Sequence, residues 1–118
     1  RFVVGEIIVV QFPFTDFSST RKRPALVLSN LEGDDIIVCE ITSLKRKDKY
    51  VVSLENKDLE NKKLKTDSII KPNRILTIHK DKINYKFDKL KDYKFQEVLE
   101  KIKIIFKIWL IIQFIFSF

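Results

Sequence analysis

The sequence predicts a mainly β (α+β) domain, a small barrel or sandwich followed by a C-terminal helix. Over roughly the first two thirds, short runs rich in β-branched residues alternate with polar turns, the pattern of a compact all-β fold. From Asp92 onward the apolar residues switch to the three-and-four spacing of a helical face. The chain has 118 residues, 45% of them apolar, enough for one domain with one core.

The strand-like runs are EIIVVQF, PALVLSN, DIIVCEITS, YVVSL, DSIIKP and ILTIHK. Several are apolar at consecutive rather than alternate positions, which predicts strands covered on both faces by sheet, helix or a second subunit. NLEGDD supplies Gly33 and Asp34 for a tight turn, and LENKDLENKKLKTD is a charged connection. Residues 1–91 form the barrel on this reading. Residues 92–118 add a helix and apolar tail, packed on the barrel or in a dimer interface, within one domain overall. Phe95, Val98, Leu99, Ile102, Ile105 and Trp109 mark the helix face, and Asp92 suits its N-terminus. Past Lys103 the amphipathicity fails. Residues 104–118 number 15 and include Lys107, short of the roughly 20 that a bilayer span requires.

The 23 Lys and Arg against 16 Asp and Glu leave a formal charge of +7, which favours polyanionic partners: RNA, DNA or an anionic membrane surface. A Lys-rich surface also serves solubility alone. The one cysteine, Cys39, cannot form an internal disulfide and lies in an apolar run, so a small buried thiol is expected rather than a nucleophile. No basic segment followed by a long apolar stretch opens the chain, which begins at Arg1 where an initiator Met would stand. The expectation is a cytoplasmic, reducing context with a trimmed or incomplete start.

Two segments invite chemistry. In RKRPALVLS, Pro24 fixes its own φ and biases Arg23 towards extended backbone, holding a guanidinium at a strand entrance. Its planar fork of donors matches phosphate oxygens and stays charged in nearly any environment. A lone Arg-Pro is nevertheless more often a solvated arginine or a structural ion pair. In CEITS, Glu40 and Thr42 point to one face of a strand, and Cys39, Ile41 and Ser43 to the other.

Residues 5 to 30, GEIIVVQFPFTDFSSTRKRPALVLSN, resemble the opening of the MazF/PemK family of toxin endoribonucleases, and IIVCEITS and KPNRILTIHKDKI resemble its next landmarks in the same order. The resemblance extends to about residue 103. It implies an SH3-like β-barrel with a C-terminal α-helix, a homodimer that cleaves single-stranded RNA without a metal or other cofactor, and a cognate antitoxin as partner. It matches Arg23 to the family's catalytic arginine and Thr42 to its catalytic threonine. The segment from Thr15 to Lys22 matches the flexible loop beside the RNA groove. Phe14, Thr15, Lys22, Ser43 and Arg74 are the candidate RNA contacts.

This chemistry is coherent. Attack of a ribose 2′-OH on the adjacent phosphorus needs charge neutralisation on the phosphorane, which a preorganised Arg23 supplies. Thr42 can orient the 2′-OH or a phosphate oxygen, but neither side chain is a good proton carrier. His79 is the only histidine, so a two-histidine acid–base pair within one chain is excluded, and it stands where the family commonly has an acidic residue. One Cys, one His and scattered carboxylates show no metal-ligand spacing. Lys45, Arg46, Lys47 and Lys49 could track an RNA backbone, and Phe14 and Phe17 are better placed than Phe12 to stack bases. Two competing functions stay open: a non-catalytic nucleic-acid-binding module, and a membrane-surface or scaffolding domain driven by the apolar tail.

Overall fold

The computed structural model describes residues 2–13, 20–43 and 48–117. Six strands form one antiparallel sheet: β1 (Glu6–Pro13), β2 (Thr20–Asn30), β3 (Asp35–Thr42), β4 (Val52–Leu54), β5 (Ser68–His79) and β6 (Ile83–Lys89). Their order across the sheet is β4-β5-β3-β2-β1-β6. The sheet curls until the chain beyond its two edge strands meets. Leu59, after β4, bridges to Leu90, after β6, and the Glu60 and Lys91 N–H groups donate to Lys89 and Asp58 carbonyls at 2.9 Å. The mainly β fold with a barrel-like sheet and a C-terminal helix is thus the architecture the sequence predicts.

Both faces of the sheet are apolar, as the unalternated runs require. One face buries Ile7, Leu26, Cys39, Ile41, Leu54 and Ile70 with Val98 of the helix α1 (Asp92–Phe106). The other buries Ile8, Val10, Ala25, Val27, Ile36 and Val38, flanked by Phe2, Ile78 and Ile83. A fully buried Ile or Leu in either layer contributes about 1.5–3 kcal/mol. Gly33 takes the turn between β2 and β3 at φ 82°, a left-handed conformation that glycine adopts without penalty.

Three features differ from the sequence expectation. The runs DSIIKP and ILTIHK belong to one strand, β5, because the pairing with β3 jumps from Cys39↔Ile75 to Glu40↔Lys71 and leaves Pro72, Asn73 and Arg74 as a bulge. A bulge is where an interior strand tolerates a proline. Strand β6 was absent from the expected runs. It lies at the sheet edge with Asn84, Tyr85 and Lys86 exposed, so it lacks a strong apolar signature. Thirdly, Thr20, Arg21 and Lys22 are not loop residues but the start of β2, paired with Pro13, Phe12 and Gln11.

Helix α1 begins at Asp92, as expected, and buries Lys94 and Val98. It extends to Phe106. Lys107, in the left-handed conformation (φ 54°, ψ 40°), breaks it from α2 (Ile108–Phe116). In the single chain Leu110, Ile112, Phe114, Ile115 and Phe116 of α2 are exposed. Among the described residues no helix is long and apolar enough to cross a membrane.

Candidate functional site

The site arises where two neighbouring strands part. Strands β2 and β3 pair from Asn30↔Ile36 as far as Ala25↔Glu40. Beyond that pair each strand continues with its other neighbour: Pro24 to Thr20 with β1, and Ile41 and Thr42 with β5. Pro24 is the first residue past the shared ladder, where a missing N–H interrupts no pairing between β2 and β3. The split opens a cleft of about 440 Å³ lined by Arg21, Lys22, Arg23, Pro24, Ile41, Thr42, Ser43, Thr66 and Ser68.

Arg23 and Thr42 lie two positions past the last shared pair on their respective strands. Strand alternation puts both on the face that carries Ala25 and Glu40. Thr42 is buried, at 7% exposure, while Ser43 beside it is open to solvent. The Glu40 carboxylate stands between two cations: its Oε1 is 3.7 Å from Arg23 Nη1 and its Oε2 is 3.4 Å from Arg74 Nε. Arg74 reaches it from the β5 bulge.

The charged connection between β4 and β5 is held in place beside this cleft. The Asp88 carboxylate accepts the Asn61 and Lys63 N–H groups at 3.0 and 3.3 Å, and Asn56 exchanges hydrogen bonds with the Leu64 backbone at 2.8 and 3.1 Å. The same connection delivers Thr66, whose hydroxyl side chain was not singled out from sequence, and leads into Ser68. A second cleft of about 560 Å³ continues from the first through Ser43 and Thr66 to Asn56, Lys65 and Asp67. A third, smaller and apolar, shares Lys22, Pro24 and Ile41 and is walled by Tyr85 and Phe87.

The structure therefore brings Arg23, Thr42, Lys22 and Ser43 to one cleft and joins Arg74 to it through Glu40. Phe14 and Thr15, with Phe17, Lys45, Arg46 and Lys47, fall outside the described residues. His79 pairs with Asp35 at the opposite end of β3, seven positions from Thr42 and roughly 23 Å away at the strand rise. There its Nδ1 accepts the Asp81 N–H at 3.1 Å, capping a 3-10 turn over Lys80–Lys82. Burial, reinforced by the Glu40 charge, pushes the Cys39 thiol up to about 12. Among the described residues no group of three or more His, Cys, Asp or Glu side chains could hold a metal ion.

A model of the family described as PemK-like, MazF-like toxins of type II toxin–antitoxin systems matches residues 4–106. No curated protein matches the chain significantly in sequence. Among solved structures, the MazE–MazF complex from Deinococcus radiodurans is similar at a TM-score of 0.71 and 17% identity, over 88% of this chain and 94% of that one. The Mycobacterium tuberculosis toxin MazF-mt6 is similar at 0.69 and 19% identity, over 86% and 96%. A mycobacterial endoribonuclease solved with its cognate antitoxin is similar at 0.69 and 12% identity, over 88% and 93%. At these identities the structural likenesses establish the fold.

Proposed function

We propose that this chain, which belongs to the family of PemK-like, MazF-like toxins of type II toxin–antitoxin systems, is a metal-independent, sequence-selective endoribonuclease acting on single-stranded RNA in the cytoplasm. The observation that carries the reading is the split between β2 and β3, where a cation and hydroxyls converge in one open cleft. In the reaction the ribose 2′-oxygen bonds to phosphorus as the bond from phosphorus to the 5′-oxygen breaks. The 2′-OH proton leaves to a base, and a proton reaches the departing 5′-oxygen. Arg23 stabilises the phosphorane charge, a role in which one preorganised donor contributes about 10²–10³ in rate. Thr42 orients the 2′-OH or a non-bridging oxygen.

Phe14, Thr15, Lys22, Ser43 and Arg74 contact the RNA on this reading. Phe14 stacks a base, a contact worth about 1–3 kcal/mol. The test is incubation with long single-stranded RNA in EDTA. Fragments ending in 2′,3′-cyclic phosphate are expected. Intact RNA that the protein still retains on a filter would instead mark a non-catalytic binding module.

The partners follow from the same reading: a cognate antitoxin, whose acidic or apolar segment covers the basic cleft, and a second copy of the chain. Two of the similar structures contain antitoxins. The exposed α2 side chains support a dimer in which the tail is covered, since monomers rarely leave such a contiguous apolar patch in water. Sedimentation of the full chain and of a chain ending at Lys103 checks this, with a dimer and a weaker dimer expected. Tail-dependent flotation with liposomes would favour a membrane-surface role instead.

A further inference from the structure

Glu40 is an odd residue to find beside a cleft meant for phosphate. Its side chain is only 16% exposed, and it sits on the face of β3 that carries Thr42. Both of its oxygens are committed. Oε1 faces the Arg23 guanidinium at 3.7 Å, and Oε2 faces Arg74 at 3.4 Å. The contact with Arg23 is a diagonal one across the ladder, from the last shared pair, Ala25↔Glu40, to the first cation beyond it. The contact with Arg74 exists because the bulge at residues 72–74 displaces that side chain from the ordinary β5 register.

We propose that Glu40 is a positioning residue, its carboxylate held between Arg23 and Arg74 so that the Arg23 guanidinium is aimed into the split between β2 and β3. The inference rests on the endoribonuclease reading of that cleft. An arginine side chain has many rotamers, and a fixed anion beside it removes that freedom before substrate arrives. Glu40 is less suited to take the 2′-OH proton itself, because a guanidinium faces each of its two oxygens.

The near-isosteric Glu40→Gln variant tests this, with kcat and KM measured on single-stranded RNA alongside Arg23→Ala and the double variant. Expected is a kcat loss of about tenfold to a hundredfold, the scale of a misplaced group. KM should stay level or fall, since the groove gains one net positive charge. Because Glu40 acts through Arg23, Glu40→Gln should cost nothing further in the Arg23→Ala background. Glu40→Asp, which keeps the charge but withdraws it by one methylene, should fall between parent and Gln variant. An unchanged kcat overturns the proposal. So does an equal loss in the Arg23→Ala background with disappearance of the acidic limb of the pH–rate profile, the mark of a general base. A raised kcat/KM would show Glu40 to be a competitor of the phosphate and overturn it likewise. If the parent leaves RNA intact, the endoribonuclease reading fails. The Arg23 Nε–H resonance then decides for Glu40 alone, shifted and mobilised in Glu40→Gln if the proposal holds and unmoved if it does not.

Discussion

The attachment of α1 to the barrel depends on a buried charge cluster, and Asp58→Asn is the substitution that probes it. Asp58 is fully buried in the 3-10 turn after β4. Its Oδ1 accepts the Tyr93 hydroxyl at 2.5 Å, its Oδ2 accepts the Glu55 N–H at 2.9 Å, and Lys94 Nζ lies 3.7 Å from Oδ2. Asparagine keeps the volume but replaces one acceptor with a donor and leaves the Lys94 ammonium, 7% exposed, without that anion. Breaking a buried pair of this kind costs about 3–5 kcal/mol. Glu97, 3.3 Å from the same ammonium, offsets part of it, which places the expected loss near the lower bound, about 3 kcal/mol. For a chain of this size that corresponds to a melting point lower by roughly 12 °C. Urea unfolding followed by circular dichroism at pH 7, with the slope unchanged, measures it. Adding Lys94→Met should restore about 1–2 kcal/mol, because the orphaned cation is then gone. A loss under about 1 kcal/mol in Asp58→Asn, or no recovery in the double variant, would refute the reasoning.

Two further expectations concern titration. Burial alone would raise the Asp58 carboxyl, but the hydrogen bonds from Tyr93 and the Glu55 backbone, with the Lys94 and Lys57 charges, hold it below its ordinary 3.8. Its contribution is therefore complete above that value and is lost as pH falls through the lower folded value. Unfolding scans at falling pH should steepen below about 4, less so in Asp58→Asn. Conversely the hydrogen bond to Asp58 raises Tyr93 from 10.0 to about 12, so its contribution is present below pH 10 and fades between those values, a fading that Tyr93→Phe should remove. Cys39, buried at 0% exposure, should resist a thiol reagent at pH 8 in the native protein and react once urea unfolds it. Rapid native labelling would contradict that.

The strand content and the helix start at Asp92 were legible because each leaves a local pattern: apolar β-branched runs for a sheet buried on both faces, and a change of period for the helix. The proline at 72 led to two strands where there is one, since sequence marks the break but not that pairing resumes beyond a bulge. Edge strand β6 escaped because a strand with three consecutive exposed residues at its centre has little apolar alternation to show. Arg23 and Thr42 were singled out by the family resemblance, since neither a lone Arg-Pro nor a threonine at a strand end points to chemistry by itself. The opening between them was not, because it depends on where the β2–β3 ladder ends, a non-local property. Glu40 could have been noticed, since alternation already placed it on the face of Thr42. Its link to Arg74 required the register of a third strand.

The most direct test of the account is cleavage of long single-stranded RNA in EDTA by the parent and by Arg23→Ala, at equal folded concentration. The account predicts that the parent cuts and that Arg23→Ala is slower by about 10²–10³, the scale of a lost preorganised donor, while still folding and still binding RNA more weakly. Cleavage by Arg23→Ala at the parental rate would contradict it, because the split between β2 and β3 would then not be where the phosphorane forms.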